Sequence, residues 1–404
     1  MLPIVQNEPG LQPYEQALQA RQDYALRKIK ELTGGKRKLA PWADGYLYFG
    51  LHHLNPGWVL REWAPNATAI YIKGDFNNWQ KSEASRLYPV GNGVWEGYFT
   101  EDQMHHGQLY KLLVEWMGGY GERIPSYARR VVQDDNTKIF SAQVWAPVKE
   151  FDMGKRRGPK GWKADKPLFI YECHIGMATE EQRVGTYNEF RLNVLPRVAQ
   201  LGYNCIQIMA IQEHPYYGSF GYHVSNFFAP SSRFGTPEEL KELISDAHER
   251  GIAVIMDIVH SHAVKNEIEG LGNFDGTPYQ YFHDGPRREH PAWDSLCFNY
   301  GKNEVLHFLL SNCKYWLEEY DFDGFRFDGV TSMMYLSHGL GEDFNGYPSY
   351  FNGNEDGDAI CYLTLANKLI HEIKKDAITI AEDMSGMPGI AAPFADGGMG
   401  FDSR

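Results

Sequence analysis

The chain has 404 residues and a formal net charge of −13, with 43 % hydrophobic and 14 % aromatic residues. This acidic balance argues against a nucleic-acid or anionic-membrane partner, which normally needs a basic patch, and suits a soluble protein with an uncharged substrate. The length favours two domains over one.

Five cysteines without CxxC spacing predict neither a disulfide framework nor a zinc site. The N-terminal sequence MLPIVQNEPGLQPYEQ lacks the charged and apolar blocks of a secretory signal, and no apolar run approaches membrane-spanning length. We therefore expect a cytoplasmic protein without a membrane partner, and we expect it to be a monomer.

Residues 1–40 are predicted to form an N-terminal helical segment. An amphipathic helix is expected from Pro13 to Leu32, with the proline in its first turn. Apolar side chains recur along it at helical spacing: Tyr14, Leu18, Ala25 and Ile29. The residues Thr33-Gly34-Gly35 should end the helix.

Residues 41–150 change to short alternating strands separated by turn residues, which is typical of a small β-sandwich. The strand candidates are GWVLREWAP, AIYIKGDFNNW, GVWEGYF and QLYKLLVEW. A basic linker containing glycine and proline, GKRRGPKGWKADKP, follows at residues 154–167.

Residues 151–404 repeat a strand–loop–helix rhythm, which predicts a parallel sheet covered by helices. The strand candidates are PLFIYECHIG, NCIQIMAI, IAVIMDIVHSH, GFRFDG and ITIAEDM. The helices between them are expected at residues 187–201, 236–250, 303–320 and 360–375. A doubly wound sheet and a (β/α)₈ barrel both fit, although no glycine-rich nucleotide-binding motif follows the first strand.

Charged side chains stand at the predicted C-terminal strand ends, where barrels of this class place their chemistry. In the segment FRFD, Arg326 and Asp328 share the face opposite the two phenylalanines. On the next predicted strand, Glu382 is two residues from Ile380 and therefore lies on the same face. Asp328 and Glu382 can therefore oppose each other across a substrate, as glycoside chemistry requires, and Arg326 should keep Asp328 ionised at neutral pH.

Each of these residues also has a plainer interpretation. Arg326 and Asp328 could be a structural ion pair that closes the barrel, Asp257 a turn residue, and His262 a buried core histidine. The recurrence of acid or histidine at three successive strand ends favours the functional interpretation.

The segments MDIVHSH, GFRFDGVTSM and IAEDMSGMP resemble the conserved regions of the α-amylase superfamily, glycoside hydrolase family 13. The run AIQEHPYYGSFGYHVSNFFAPSSRFGTPEEL resembles the α-glucan-branching members of that family. The upstream REWAPNA and KGDFNNW resemble the family-48 carbohydrate-binding module. The resemblance implies an N-terminal helix, an immunoglobulin-like β-sandwich module and a (β/α)₈ TIM barrel.

Position by position, the resemblance implies the following roles. Asp328 would be the nucleophile and Glu382 the general acid/base. Arg326, Asp257 and His262 would orient the nucleophile and bind the sugar, and Tyr222 would be a stacking platform. Further substrate-binding candidates are His214, Tyr217 with its neighbour Tyr216, and Trp79 of the sandwich with Trp116 as its possible partner. For the two tryptophans, core packing is the alternative, and for Trp116 it is favoured.

The implied reaction is a retaining double displacement on an α-glucan, with a 6-hydroxyl as acceptor, and it needs no metal or cofactor. An α-glucan hydrolase and a non-catalytic glucan-binding protein remain alternatives. Only five barrel strands can be counted, whereas a closed barrel has eight. The chain is therefore expected to be an N-terminal fragment of such an enzyme, truncated after about the fifth strand, with little or no activity alone.

Overall fold

The structure is a computed structural model that describes residues 1–154, 158–163 and 166–404. The linker predicted at residues 154–167 therefore lies partly outside the described residues. No helix within the described part of the chain is long and apolar enough to cross a membrane.

Three helices open the chain: α1 (Pro3–Asn7), α2 (Glu15–Leu32) and α3 (Gly45–Tyr48). Helix α2 starts two residues later than predicted, because Pro9–Tyr14 forms a 3₁₀ helix that contains Pro13. The apolar stripe expected on α2 is buried at Leu18, Ala25, Ile29 and Leu32. Amphipathic spacing thus predicted this helix correctly.

Nine strands build the predicted β-sandwich. Their bounds are β1 (Gly50–His53), β2 (Trp58–Trp63), β3 (Ala67–Gly74), β4 (Arg86–Gly91), β5 (Val94–Phe99), β6 (Leu109–Trp116), β7 (Gly119–Arg123), β8 (Val131–Gln133) and β9 (Phe140–Gln143). They run antiparallel in the order β1-β2-β5-β4-β3-β6-β9-β8, with β7 on β6. Strand β4 pairs with both β3 and β5, so it joins two sheets whose inner faces share an apolar core.

The following residues form five parallel strands and the helices that cover them. The strands are β10 (Ile170–Cys173), β11 (Cys205–Ile208), β14 (Ala253–Ile258), β17 (Gly324–Phe327) and β18 (Ile378–Ala381), in that spatial order. Short strands in the loops are β12 (Gln212–Glu213), β13 (Asn226–Pro230), β15 (Ala263–Val264) and β16 (Ser295–Leu296). The helices are α4 (Tyr187–Glu189), which continues through a π-helical turn into α5 (Leu195–Gln200), α6 (Pro237–Glu249), α7 (Asn303–Glu319), α8 (Val330–Met334) and α9 (Gly357–Ile373).

The order of the parallel strands follows the chain, as in a barrel and unlike a doubly wound sheet. Within the described residues β10 and β18 do not pair with each other, so the sheet is five strands of an incomplete barrel. Its concave face carries Cys205, Ala253, Ile255 and Ile378 in one apolar cluster. The opposite face, including Phe325 and Phe327, is buried in the main core.

The sandwich and the barrel are joined by close contacts. The Asn66 amide donates to Asp275 Oδ2 at 3.1 Å, and Arg123 donates to the carbonyl of Phe274 at 3.1 Å. Gly276, at φ +87°, lies so close to Trp116 that a Cβ there would be 2.3 Å from the indole ring. Trp116 therefore packs at the domain boundary, in line with the favoured core interpretation.

Helix α2 packs on the barrel rather than on the sandwich that follows it in sequence. The Tyr24 hydroxyl donates to Asp358 Oδ1 of α9 at 2.6 Å, and Lys28 donates to Asn303 Oδ1 of α7 at 3.2 Å. The N-terminal segment is thus an extra layer over the barrel helices.

A cluster of buried charges lies at the N-terminal ends of the central strands. His248 Nε2 is 2.7 Å from Asp323 Oδ2, and its Nδ1 is 3.4 Å from Asp321 Oδ2. Lys374 Nζ also contacts both carboxylates. Burial alone lowers the pKa of His248, but hydrogen bonds to the two aspartates outweigh burial and raise it. The cluster therefore favours protonated His248 in the folded chain.

This cluster predicts a pH-dependent stability. Protonated His248 contributes stability that is fully present below its unfolded pKa of 6.5 and is lost as the pH rises through the raised pKa of the folded chain. At pH values below 6.5, His248→Gln should lower the free energy of unfolding by about 2 kcal/mol. The variant should also lose less stability than the wild type as the pH rises through the raised pKa of folded His248. Urea unfolding at a series of pH values measures both effects.

The control is His105→Gln, because His105 is exposed on the sandwich. This variant should keep the wild-type pH dependence. A His248→Gln protein with the wild-type slope above neutral pH would contradict the role of the cluster.

Candidate active site

Three neighbouring strands present charged side chains at their C-terminal ends. Parallel pairing sets Asp257 of β14 opposite Arg326 of β17, and Arg326 opposite Ile380 of β18. Gly324, at φ +147°, starts β17, and a Cβ there would lie 1.8 Å from the Ile378 carbonyl oxygen. The two strands can therefore pair this closely only because the position has no side chain.

The guanidinium of Arg326 lies among three carboxylates. Its Nη1 is 3.0 Å from Asp257 Oδ2 and 3.2 Å from Asp328 Oδ1. Its Nη2 is 2.8 Å from Glu382 Oε1. The pKa of Arg326 is raised by these three carboxylates against the effect of burial. Arg326 is therefore a fixed cation that holds the predicted nucleophile and the predicted acid/base at one point.

Asp257 is fully buried beneath this cluster. Its Oδ2 accepts a hydrogen bond from the Tyr222 hydroxyl at 2.6 Å as well as the contact from Arg326, whereas its Oδ1 has no partner. Burial raises the pKa of Asp257 to about 6 although Arg326 and Tyr222 lower it. Asp257 is therefore a buried anchor for Arg326 and Tyr222.

Asp328 differs from the expectation that Arg326 would keep it ionised. Burial and the neighbouring Glu382 raise the pKa of Asp328 to about 7 and outweigh the opposite effect of Arg326. The two carboxyl groups are close enough to hydrogen-bond each other. One guanidinium cannot fully neutralise three carboxylates. The negative charge of Glu382 therefore still disfavours the ionised form of Asp328.

Glu382 is the more accessible of the pair, with 42 % of its side chain exposed. Its Oε2 accepts the backbone N–H of Gly329 at 2.7 Å. The backbone of Glu382 is tied to β17 as well, since its N–H donates to the Phe327 carbonyl at 3.0 Å. The carboxylate is thus fixed at the rim of the site, where a general acid would meet a departing oxygen.

His262 lies beside Tyr222 at the site, and both of its ring nitrogens are engaged within the protein. Its Nε2 donates to the Tyr222 carbonyl at 2.7 Å, and its Nδ1 accepts from the Ser261 hydroxyl at 2.8 Å. Burial lowers the pKa of His262 to about 4, so the ring is neutral. Both nitrogens are occupied, and His262 holds Tyr222 in place.

A cavity of about 410 Å³ opens above these groups. Its lining residues are Tyr222, His223, His262, Trp293, Arg326, Asp328 and Glu382. Trp293 and His223 were not predicted from the sequence. The Trp293 ring stacks on His290 with ring centroids 4.1 Å apart and ring planes 8° apart. Tyr222 is the other large aromatic residue of the cavity lining. Carboxylates below and aromatic rings around them make a pocket suited to a sugar ring.

His214 and Tyr217 do not line this cavity. His214 is fully buried, its Nδ1 contacts the Gln212 carbonyl at 2.9 Å, and its Nε2 has no partner. The Tyr217 ring packs edge-on against His174 at 5.8 Å, and Tyr216 is 69 % exposed. The structure therefore groups His214 and Tyr217 in a neighbouring aromatic cluster, and a direct sugar contact for either stays a prediction.

Trp79 lies in a turn of the sandwich at φ +58°. Its indole N–H donates to Asp75 Oδ1 at 3.0 Å, which leaves the half-buried ring face at the surface. Trp116 packs against Gly276 at the domain boundary, and its suggested partnership with Trp79 in sugar binding stays a prediction. Sugar stacking by Trp79 stays a prediction.

A second cavity, of about 270 Å³, lies where the sandwich part of the chain (residues 41–150) meets the barrel. Its lining is aromatic with a polar rim: Trp42, Phe49, Trp63, Asn92, Val94, Tyr127, Tyr281, Asn303, Glu304, His307 and Phe308. We call it the aromatic cleft. The sequence did not predict it because its walls come from two separate parts of the chain, and the high aromatic content was the one signal for it.

The described residues contain no group of three or more His, Cys, Asp or Glu side chains arranged to hold a metal ion.

Two family models match the chain. Carbohydrate-binding module 48 (isoamylase N-terminal domain) matches residues 48–129, and the α-amylase catalytic domain matches residues 192–294. Among solved structures, the catalytic module of the pneumococcal glycogen-degrading virulence factor SpuA shares the fold, with a TM-score of 0.65 at 20 % identity over 83 % of this chain and 50 % of that one. The pullulanase SAP of GBS in complex with maltotetraose gives 0.64 at 20 % identity, over 83 % and 46 %.

These matches and the strand-end carboxylates indicate the class: the chain carries a carbohydrate-binding module 48 and an α-amylase catalytic-domain segment, and it is similar to members of the α-amylase superfamily, glycoside hydrolase family 13. Within it, the chain is similar to 1,4-alpha-glucan-branching enzymes. Identity is 45 % to that of Emericella nidulans, over 99 % of this chain and 59 % of the relative. It is 48 % to the chloroplastic/amyloplastic enzyme 2-2 of Arabidopsis thaliana, over 99 % and 50 %. The chain thus spans between half and three-fifths of its relatives' length, and the family resemblance and the two-part fold predicted from sequence are confirmed.

The coupling of the two carboxyl groups gives a direct test of the site. Glu382→Gln removes the neighbouring charge, so the pKa of Asp328 should fall from about 7 towards its ordinary value of 3.8. A titration of aspartate carboxyl carbons by ¹³C NMR, with Asp328→Asn to identify the resonance, measures it. Glu181→Gln, a change at an exposed carboxylate, is the control. An Asp328 pKa unchanged by Glu382→Gln would show that burial alone sets it.

Proposed function

We propose that this chain provides the nucleophile and the acid/base of a 1,4-α-glucan-branching enzyme. The observation that carries the proposal is the Arg326 cluster, in which one guanidinium holds Asp328 and Glu382 at the C-terminal ends of adjacent strands. The similarity to branching enzymes at 44–48 % identity over nearly the whole chain supports the substrate and the reaction. Arg326, Asp257 and Tyr222 position the nucleophile and contact the sugar.

In the first step an ionised Asp328 oxygen attacks C1 of the α-1,4-linked glucose, and the bond from C1 to the departing O4 breaks. Glu382 gives its proton to O4, so a covalent glucosyl-enzyme and a free chain end result. The step requires an ionised Asp328, so the proton that the raised pKa keeps on Asp328 near neutral pH has to leave it, towards the neighbouring Glu382, before the attack.

In the second step Glu382, now ionised, takes the proton of a glucan 6-hydroxyl as that oxygen attacks C1. The bond to Asp328 breaks and an α-1,6 branch forms with retained configuration. An α-glucan hydrolase would use water in this step. The similarity to enzymes named for branching favours the glucan acceptor.

The aromatic cleft is the second element of the proposed function. Flat aromatic rings with a polar rim can stack on sugar faces and bond their hydroxyls, and the cleft stands apart from the catalytic cavity. We propose that it holds a remote part of the same glucan or a second chain. The product is glycogen or starch, and we propose a cytoplasmic, monomeric protein.

The proposed reaction predicts what the 404-residue chain does with amylose. Five described strands leave one side of the pocket open to water, so turnover should be far slower than that of the Emericella nidulans relative. Fusing the chain to the part of that relative which the alignment leaves uncovered should restore branching. The readout is loss of iodine staining without a rise in reducing ends.

Asp328→Asn in the fusion should abolish this loss, while glycogen co-sedimentation stays at the level of the unsubstituted fusion. A parallel rise in reducing ends would indicate hydrolysis. Unimpaired turnover by the Asp328→Asn fusion would refute the assignment of the nucleophile. A 404-residue chain as fast as the intact relative would refute the fragment interpretation.

The aromatic cleft predicts a loss of affinity that is separate from catalysis. Trp63→Ala should weaken binding of maltoheptaose by about fivefold, the loss expected for one aromatic stack. Isothermal titration calorimetry measures the affinity, and thermal unfolding checks the fold. Tyr279→Ala, an exposed aromatic outside the cleft lining, is the control. Equal affinities for the three proteins would exclude the cleft as a glucan site.

A further inference from the structure

The outer face of the sandwich sheet β1-β2-β5-β4 carries side chains that the core does not use. Strand alternation places Val94, Glu96 and Tyr98 of β5 on this face. Cross-strand pairing puts Tyr88 of β4 beside Glu96 on one side and Arg61 of β2 beside it on the other. The inner positions of the same strands, such as Trp95, Leu60 and Leu87, are buried in the core.

The tyrosines on this face are strongly exposed. Tyr98 is 64 %, Tyr88 55 % and Tyr48, which lies just before β1, 41 % exposed. A solvent-facing antiparallel sheet normally carries polar side chains, and adjacent exposed aromatic rings mark a binding surface. The face therefore offers three rings without an apolar cover.

The charges on this face cancel each other. Arg61 Nε contacts Glu96 Oε2 at 2.6 Å, and the guanidinium lies over the Tyr48 ring at 4.4 Å. Arg61 Nη1 also donates to the Tyr48 carbonyl at 3.4 Å. The centre is thus a closed polar network between aromatic rings, and a charged ligand would gain no net attraction there.

The face is continuous with the aromatic cleft. Trp63 and Val94 are opposite each other in the β2–β5 ladder, and both line the cleft. From Val94 the outer row runs through Glu96 to Tyr98, a distance of about 13 Å along the strand. A chain that enters the cleft can therefore lie along the sheet.

We propose that this outer face, formed by Tyr48, Arg61, Tyr88, Glu96 and Tyr98, binds a segment of α-1,4-glucan that extends out of the aromatic cleft. A glucan chain is uncharged, with apolar C–H faces that stack on the tyrosines. Its hydroxyls accept from Arg61 and donate to Glu96. The identity of the ligand rests on the proposed function, whereas the location of the surface rests on the sheet register and the exposed rings.

The test uses the 404-residue chain with the double substitution Tyr88→Ala and Tyr98→Ala. Both side chains are exposed, so the fold should be kept. Affinity electrophoresis in gels with amylopectin should give about a fivefold weaker retention than the wild type. Phe169→Ala, at an exposed aromatic 64 % accessible near the start of β10, should be retained like the wild type.

The ligand length separates this surface from the cleft. Maltotriose, too short to reach both, should bind the wild type and the double variant equally, whereas amylopectin should distinguish them. If the double variant and the wild type are retained equally on amylopectin, the proposal that the outer face binds glucan is overturned, while the proposed function is unaffected. Failure of the wild type to bind any glucan overturns it together with the proposed function. Concentration-dependent association that disappears in the double variant, with unchanged glucan retention, would assign the face to a second copy instead.

Discussion

The site depends on one buried cation. Arg326 is the shared partner of Asp257, Asp328 and Glu382, which come from three successive strands. Placing three carboxylates this close together is costly unless a cation with several fixed donors lies between them, and a planar guanidinium supplies those donors. The same contacts hold the strand ends in position and raise the pKa of Asp328 by leaving part of the negative charge uncompensated.

Around this cation, the two parts of the molecule form one continuous framework. Trp116 and Gly276 pack against each other at the domain boundary, and backbone carbonyls near residue 274 accept from Arg123. The aromatic cleft is a product of that packing, because its rings come from the sandwich part (residues 41–150) and from the barrel. The orientation of the sandwich therefore decides where a long glucan can lie relative to the carboxylates.

Local patterns predicted most of the elements. Alternation in FRFD placed Arg326 and Asp328 on one face, and helical spacing placed α2 within two residues of its start. Trp293 was beyond such reasoning, because its stacking on His290 and its place in the pocket depend on a loop conformation. The raised pKa of Asp328 was missed for a related reason. The sequence showed that an arginine is near Asp328, but it did not show that Asp328 is buried or that Glu382 lies close to it. His214 and Tyr217 were predicted because they belong to a family-like sequence motif, but they do not line the catalytic cavity.

Gly324 gives the strand that carries the cation a property of its own. With the Ile378 carbonyl oxygen 1.8 Å from where a Cβ would be, the existing alignment of β17 and β18 places the residue without a side chain at their close approach. A slip by one residue would turn Phe325 and Phe327 out of the core and Arg326 into it. Hydrophobic packing and the placement of the catalytic charges therefore succeed or fail together. Quality control during folding, which detects exposed apolar surface, would in this way also remove molecules with a misassembled active site.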